Sequence, residues 1–339
     1  MIAIRKQLTL IATTVFLSAA SAIGAMAGNL TKYVNPYIGA GGHGHVFVGA
    51  NVPFGMVQLG PTEPTRGWDW CSGYHYSDNE IIGFGHTHLS GTGIGDLGDI
   101  AILPVSDDKQ ASTIFSHDNE TVKPGYYAVK LTNPGVNVEL TATNRVGFHR
   151  YTFAEGQKQN LLAIDLKQGI GWDAMTDCLL TQESPTRITG MRRSKGWSND
   201  HRYYFDMEFS KPVTIVSRDT ALTRTVIATE ADGKPLLVKV ALSPIDVMGA
   251  KANMKAELPG WDFDAAVTAA DEAWDKQLAR VTVETADKEK KEVFYTAMYH
   301  FMIAPSVFCD ANGDYRGADG RIHRAGYTTY STFSLWDAY

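Results

Sequence analysis

The chain has 339 residues, a formal charge of −6, and 20% charged against 44% hydrophobic residues. An acidic balance gives no general attraction to phosphate backbones, which sets nucleic acid aside as a partner. Three widely spaced cysteines, Cys71, Cys178 and Cys309, permit at most one disulfide, so this is no disulfide scaffold and each reads as a buried thiol.

Residues 1–27 read as a secretory signal. Arg5 and Lys6 are followed by a mostly apolar stretch from Leu8 to Ala20, and Ala25-Met26-Ala27 fits an A-x-A cleavage site. A membrane helix is the alternative, but no basic stop-transfer flank follows it. No later stretch reaches the roughly 20 apolar residues of a membrane span. Cleavage near Ala27 leaves 339 − 27 = 312 residues and a charge of −6 − 2 = −8. The expectation is an exported protein, periplasmic or secreted, large enough for one large β domain or two smaller units.

The stretch from Asn35 to Pro104 holds most of the Gly-His pairs with Trp68, Trp70 and Cys71, and little of it shows a regular period. It is too rich in aromatic and aliphatic residues for disorder. Glycine allows close backbone approach to a ligand, so the stretch reads as ordered binding loops on a rigid scaffold. Beyond it, alternation dominates: Val136, Val138 and Leu140; Gly147, His149, Tyr151 and Phe153; Tyr203, Phe205, Met207 and Phe209; Leu236, Val238, Val240 and Leu242. Leu161 to Leu166 suits a buried strand. Turns at Asn133-Pro134-Gly135 and Asp232-Gly233-Lys234-Pro235 separate such runs. Together they predict a mainly β fold, an antiparallel sandwich or barrel whose strands bury one face and expose the other.

The pattern changes near Glu257. Pro259-Gly260 breaks the chain, Asp262 or Asp264 can cap, and Phe263, Val267, Ala270, Trp274 and Leu278 predict an amphipathic helix. A second helix is predicted from near Asp287, with Phe294, Met298 and Phe301 on one face, ending at Pro305. Thr328 to Tyr339 has no tail composition, so the chain reads as the first part of a longer protein.

His43 and His45, and His86 and His88, form H-x-H pairs. On a strand each pair would share a face and suit zinc. Flanked by Gly, Ser and Thr, neutral imidazoles serve equally as partners of hydroxyls, and sugar contact or support is the preferred reading. Trp68 and Trp70 offer flat indole faces with one N–H, suited to a sugar ring, with a core role as the alternative. Asp96 and Asp99 could act as acid and base or bind a hard cation, but hydrogen bonding to loop amides is preferred. Asp337, beside Trp336, needs partners if buried, and sugar hydroxyls could serve. No nucleophile elbow, H-E-x-x-H or Walker A loop appears.

The segments VNPYIGAGGHGHVFVGANVPFGMVQLGP, CSGYHYSDNEIIGFGHTHLSGTG, DLGD, Gly147-Phe148-His149-Arg150-Tyr151 and YSTFSLWDAY resemble glycoside hydrolase family 92, the calcium-dependent exo-acting α-mannosidases. The resemblance runs from about Tyr33 to Tyr339. It implies an antiparallel β-sandwich, linker helices and the start of an (α/α)6 barrel. The implied divisions are a signal over 1–27, the sandwich over 28–256, a helical linker over 257–304 and the barrel opening over 305–339. It further implies inverting hydrolysis of terminal mannose from N-glycans or mannans, with calcium as cofactor and mannose-containing glycans as partners. The acid, the base and the calcium ligands are expected beyond Tyr339. Trp70 and Cys71 match the family's segment before GYHY. Asp337 matches a W-D-T motif, with Ala338 in place of Thr. His86, His88, Gly41 and Gly42 are further expected to line the pocket, and Val48 stands where the family often has Pro. A standalone mannose-binding sandwich is the alternative.

Overall fold

A computed structural model describes residues 29–331. The proposed signal and Asp337 therefore lie outside the described residues. Two antiparallel sheets form the body of the molecule. The first runs Ala50–Asn51, Gln58–Thr62, Gly83–Gly85, Ala101–Val105, Gln159–Asp165, Arg224–Glu230, Val213–Arg218. The second runs Ala174–Ser184, Arg187–Lys195, His201–Phe209, Leu236–Ser243, Val146–Thr152, Asn137–Ala142, Tyr126–Lys130, Glu120–Lys123. Leu59, Phe84, Ile102, Leu162 and Val226 of the first sheet share one buried cluster with Val138, Leu140, Tyr151, Phe205 and Val238 of the second. That shared core makes the pair a sandwich.

The alternating runs read in the sequence are all strands, and the structure supplies their register. Phe205 pairs with Leu242, and His149 lies between Leu140 and Val238. Two expectations change. The stretch from Asn35 to Pro104 is not loops alone, since four strands of the first sheet come from it. Their runs are short and interrupted by glycine, which hid the period. The outer face of the second sheet is also not uniformly exposed. Val146 and Phe148 are fully buried there, against Ala250, Met254, Leu258 and Phe263 of the following helical segment.

Three helices follow: α1 (Val247–Glu257), α2 (Phe263–Leu278) and α3 (Lys288–Phe301). The helix α1 falls inside the span assigned to the sandwich and was missed, because its short mixed run has no clear apolar stripe. Its capping residue Asp246 accepts from the Gly249 amide at 2.7 Å. Asp262 caps α2 as expected, and Phe263, Ala270, Trp274 and Leu278 are its buried face. In α3, capped by Asp287, the buried face is Tyr295, Thr296 and Tyr299, while Phe301 is exposed. The predicted stripe was one residue off. Tyrosine is counted as polar in such patterns, yet its ring buries well when its hydroxyl finds a partner.

Residues 305–331 were expected to open a barrel. Among the described residues this span holds the hairpin of Asp314–Arg316 and Ile322–Arg324, with a bridge between Val307 and Tyr330. No helix among the described residues is long and apolar enough to cross a membrane.

Trp274 locks the helices to the sandwich. It is fully buried, its Nε1 donates to the Asn51 carbonyl at 2.7 Å, and its ring lies 4.5 Å from that of Tyr299. Trp274→Ala should lower unfolding stability by about 3–5 kcal/mol in urea titration. Trp274→Phe, which loses the hydrogen bond but keeps most of the buried ring, should lose less.

Candidate functional site

Three segments meet at one end of the sandwich: Gly39–His45, Gly67–Tyr76 and His86–Gly98. The Tyr76 amide donates to Ala40, the Gly91 amide to His45, and Trp68 Nε1 to Gly93, each at 2.7–2.8 Å. His75 Nε2 donates to the Gly42 carbonyl at 3.2 Å. Glycine is required where the backbones nearly touch. A Cβ on Gly44 would stand 1.9 Å from the Gly39 oxygen. A Cβ on Gly171 would stand 2.7 Å from Gly95.

Gly41 and Gly42 lie exposed on this rim, Gly42 with φ +58°. Trp70 is half-buried in a 3-10 turn, Trp68–Trp70. Its Nε1 donates to Asp78 at 3.1 Å and its ring stacks on His75 at 4.4 Å. Trp68 is 62% exposed. Cys71 is buried, and burial pushes its thiol up to about 11, which leaves it protonated and unreactive.

The four histidines of the two H-x-H pairs divide. His86 is fully buried, its Nδ1 donating to the Ile100 carbonyl at 2.7 Å and its Nε2 3.0 Å from His149 Nε2. A contact with ligand is thus corrected for His86: no surface of it is accessible. His88 is nearly as buried, bonded to the Gln58 carbonyl at 2.9 Å and to Thr62 at 3.1 Å. It does border a cavity of about 330 Å³, with Gln58, Leu97, His201, Tyr203 and Tyr330. Neither Trp70 nor Cys71 lines that cavity. His43 and His45 do not share a strand face, but both ring nitrogens reach Asp69 Oδ1, at 2.6 and 3.1 Å.

Asp96 binds loop amides as expected, those of Leu97 and Trp197 at 3.1 and 2.8 Å. Asp99 instead enters a buried ionic cluster. Its Oδ1 meets Arg192 Nη1 at 2.7 Å and its Oδ2 meets His201 Nε2 at 2.8 Å and Thr87 Oγ1 at 2.6 Å. Arg192 also pairs with Asp173 and donates to the carbonyls of Leu166 and Gln168. Burial opposes the Asp99 charge, but His201 and Arg192 outweigh it and hold the carboxyl far below the usual range. Burial likewise opposes charge on His201, yet Asp99 raises it above its ordinary value.

Glu63 was not singled out in the sequence. It is 1% exposed, accepts from the His75 amide at 2.6 Å, and its Oε1 has no partner among the described residues. Burial pushes its carboxyl up to about 9, so it stays neutral at pH 7. Its position in GPTEPT between turn residues carried no signal of this.

The fold is that of an antiparallel sandwich with aromatic, His and carboxyl side chains gathered on one set of loops. The chain belongs to glycosyl hydrolase family 92, matching its N-terminal domain over residues 33–243 and its catalytic domain over 249–339. The second match begins within α1, earlier than the change of character read near Glu257. Among solved structures, the chain is 35% identical to the GH92 alpha-mannosidase BT3965 from Bacteroides thetaiotaomicron, solved in complex with mannoimidazole. That likeness has a TM-score of 0.83 and covers 91% of this chain and 44% of the other. The GH92 inverting mannosidase BT2199 from Bacteroides thetaiotaomicron VPI-5482 is 25% identical, with a TM-score of 0.74, over 89% and 44%. An uncharacterized secreted glycosidase from Arthroderma benhamiae is 24% identical over 84% of this chain and 43% of its own. The chain thus spans less than half the length of these relatives.

Arg192→Met should destabilise the protein by about 3–5 kcal/mol in urea titration, because it leaves Asp173 without a counter-charge and Asp99 with His201 as its one cationic partner. Arg192→Lys should recover little, lacking the fork that reaches four acceptors.

Stability should also depend on pH through buried neutral histidines. Burial pushes His86, His88 and His300 down to about 4 and holds His149 well below its ordinary value. The unfolded chain takes up these protons near pH 6.5. Stability is therefore full above about pH 6.5 and lost as pH falls towards 4, each histidine adding a slope of about 1.4 kcal/mol per pH unit. His201 acts in the opposite sense: its contribution is full below about pH 6.5 and fades as pH rises through its raised value. Urea titrations from pH 4.5 to 7.5 check the balance, and a flat profile below pH 6.5 would contradict it.

Proposed function

We propose that this chain is the sugar-holding N-terminal side of an exported α-mannosidase that releases terminal mannose from N-glycans or mannans with inversion. The supporting observation is the 35% identity, along 91% of the chain, to an alpha-mannosidase solved with mannoimidazole. The signal read over residues 1–27 and the fungal relative described as secreted support export. In this reading Trp70 presents its indole to the C–H face of the sugar, and Gly41 and Gly42 let backbone come close. Cys71, buried beside Trp70 in the chain, keeps the turn small and apolar there, His88 borders the neighbouring cavity, and Asp337 accepts from sugar hydroxyls.

Inversion needs two carboxyls about 6.5–9.5 Å apart, with room for water between one of them and the anomeric carbon. We assign the acid and the base to the part of the family fold that this chain does not cover. The chain's own residues bind and orient the sugar. Calcium, when bound, would engage sugar hydroxyls. Among the described residues the one grouping of three His, Cys, Asp or Glu ligand atoms is His43, His45 and Asp69. Two imidazoles do not fit a hard, oxygen-seeking cation, so no step through calcium is derived from these residues.

Methyl α-mannoside titrated into the purified chain should shift tryptophan emission, in preference to the glucoside and galactoside. Trp70→Ala should weaken that response about tenfold, or about 1.4 kcal/mol. Equal responses to all three sugars would sink the mannose reading. An aryl α-mannoside should not be turned over by this chain alone, and turnover scaling with its concentration would place an acid and a base within it.

A further inference from the structure

We propose that His43 Nδ1, His45 Nε2 and Asp69 Oδ1 form a binding site for a divalent transition-metal ion of the zinc type, which ties the Gly39–His45 loop to the Trp68–Trp70 turn. The three atoms lie within 4.8 Å of one another. Tetrahedral ligands on bonds of about 2.0–2.1 Å stand about 3.3 Å apart. The two N–O separations of 2.6 and 3.1 Å need open only by tenths of an ångström to admit the ion. On binding, each imidazole coordinates through the nitrogen that now donates to Asp69 and carries its proton on the other ring nitrogen.

The donor set favours this ion over calcium. Two imidazoles and one carboxylate suit zinc and its neighbours in the transition series, whereas calcium takes six to eight oxygens. No lysine or arginine pairs with Asp69 among the described residues; its ion pairs are with the two imidazoles.

The surroundings shape one side and leave another open. The Trp68 ring lies 4.2 Å from that of His45 and 5.8 Å from that of His43, with Nε1 committed to Gly93 at 2.7 Å. It forms an apolar wall that brings no competing donor. His45 is held at φ +57°, a conformation uncommon outside glycine, and this turns its ring back towards Asp69. The His43 side chain is 78% exposed, which gives the ion a path in and leaves a fourth position for water.

Such an ion would cross-link the two segments that carry Gly41, Gly42, Trp70 and Cys71. The site itself stands without the mannoside reading; only its consequence for a sugar rim rests on it. The test therefore uses the metal alone.

Zinc is titrated calorimetrically into the untagged, chelator-stripped chain, with calcium as a parallel titrant. One equivalent of zinc should bind, with no matching heat from calcium. His43→Ala and Asp69→Asn should each weaken binding by about tenfold or more, the scale on which even outer partners of metal ligands act. Circular dichroism and thermal melts verify that both variants fold. Cobalt should also quench emission in the wild type, and Trp68→Phe should remove most of that quenching. Absence of zinc binding, or zinc binding unchanged in both folded variants, would overturn the site. Loss of zinc binding with mannoside binding intact would leave the site standing and remove only its link to the rim.

Discussion

A buried guanidinium governs the site end of this molecule. Arg192 is fully buried and cannot shed its charge, so the interior must supply acceptors along its fork. Asp99, Asp173 and the carbonyls of Leu166 and Gln168 do so. Those partners lie on two segments, Asp99 on one and residues 166–173 on the other, and few arrangements of the chain satisfy them together. Arg192 belongs to the second sheet and Asp99 leads into the Ala101–Val105 strand of the first, so the cluster pins the sheets where the loops emerge. From Asp99 the constraint passes through Thr87 and His201 to the His86–Gly98 loop, against which Trp68, Trp172 and Trp197 are hydrogen-bonded.

The helices extend the same logic to the outer face of the second sheet. With α1 and the start of α2 laid over it, Phe148 becomes core and even Lys239 is buried. Its ammonium meets Glu208 at 2.8 Å and the Leu258 carbonyl at 3.2 Å, and sits 4.1 Å over the Trp261 ring. A lysine in that place is stable because each partner is supplied by the covering segment or the neighbouring strand. The sandwich and the helices are thus one packed body, joined again by Trp274 and Tyr299 at Asn51.

On the rim, carboxyls only a few residues apart behave in opposite ways. Glu63, sealed beneath the Trp70–His75 turn, is kept neutral by burial. Asp69, at the surface beside two imidazoles, is kept ionised. Environment, not residue type, separates them. Burial likewise holds His86 and His88 neutral in the interior.

The sequence by itself determined five of the strands from Asn137 onward (Asn137–Ala142, Val146–Thr152, Gln159–Asp165, His201–Phe209 and Leu236–Ser243), the cap and buried face of α2, and the family to which the chain belongs. Those features are written in local alternation, in helical spacing and in long contiguous motifs, which need no knowledge of what lies across the core. It also drew attention to the Gly-His loops that form the rim. Only the tertiary structure decided which residues in them are reachable. The pattern H-x-H is the same in both pairs, but one pair lies between the sheets and the other beside Asp69. Arg192, Asp173, His201 and Glu63 carried no local mark, because their roles arise from partners far away in the chain. The helix α1 and the tyrosine face of α3 escaped for a related reason: their burial comes from the surface each happens to meet, and no periodicity encodes that surface.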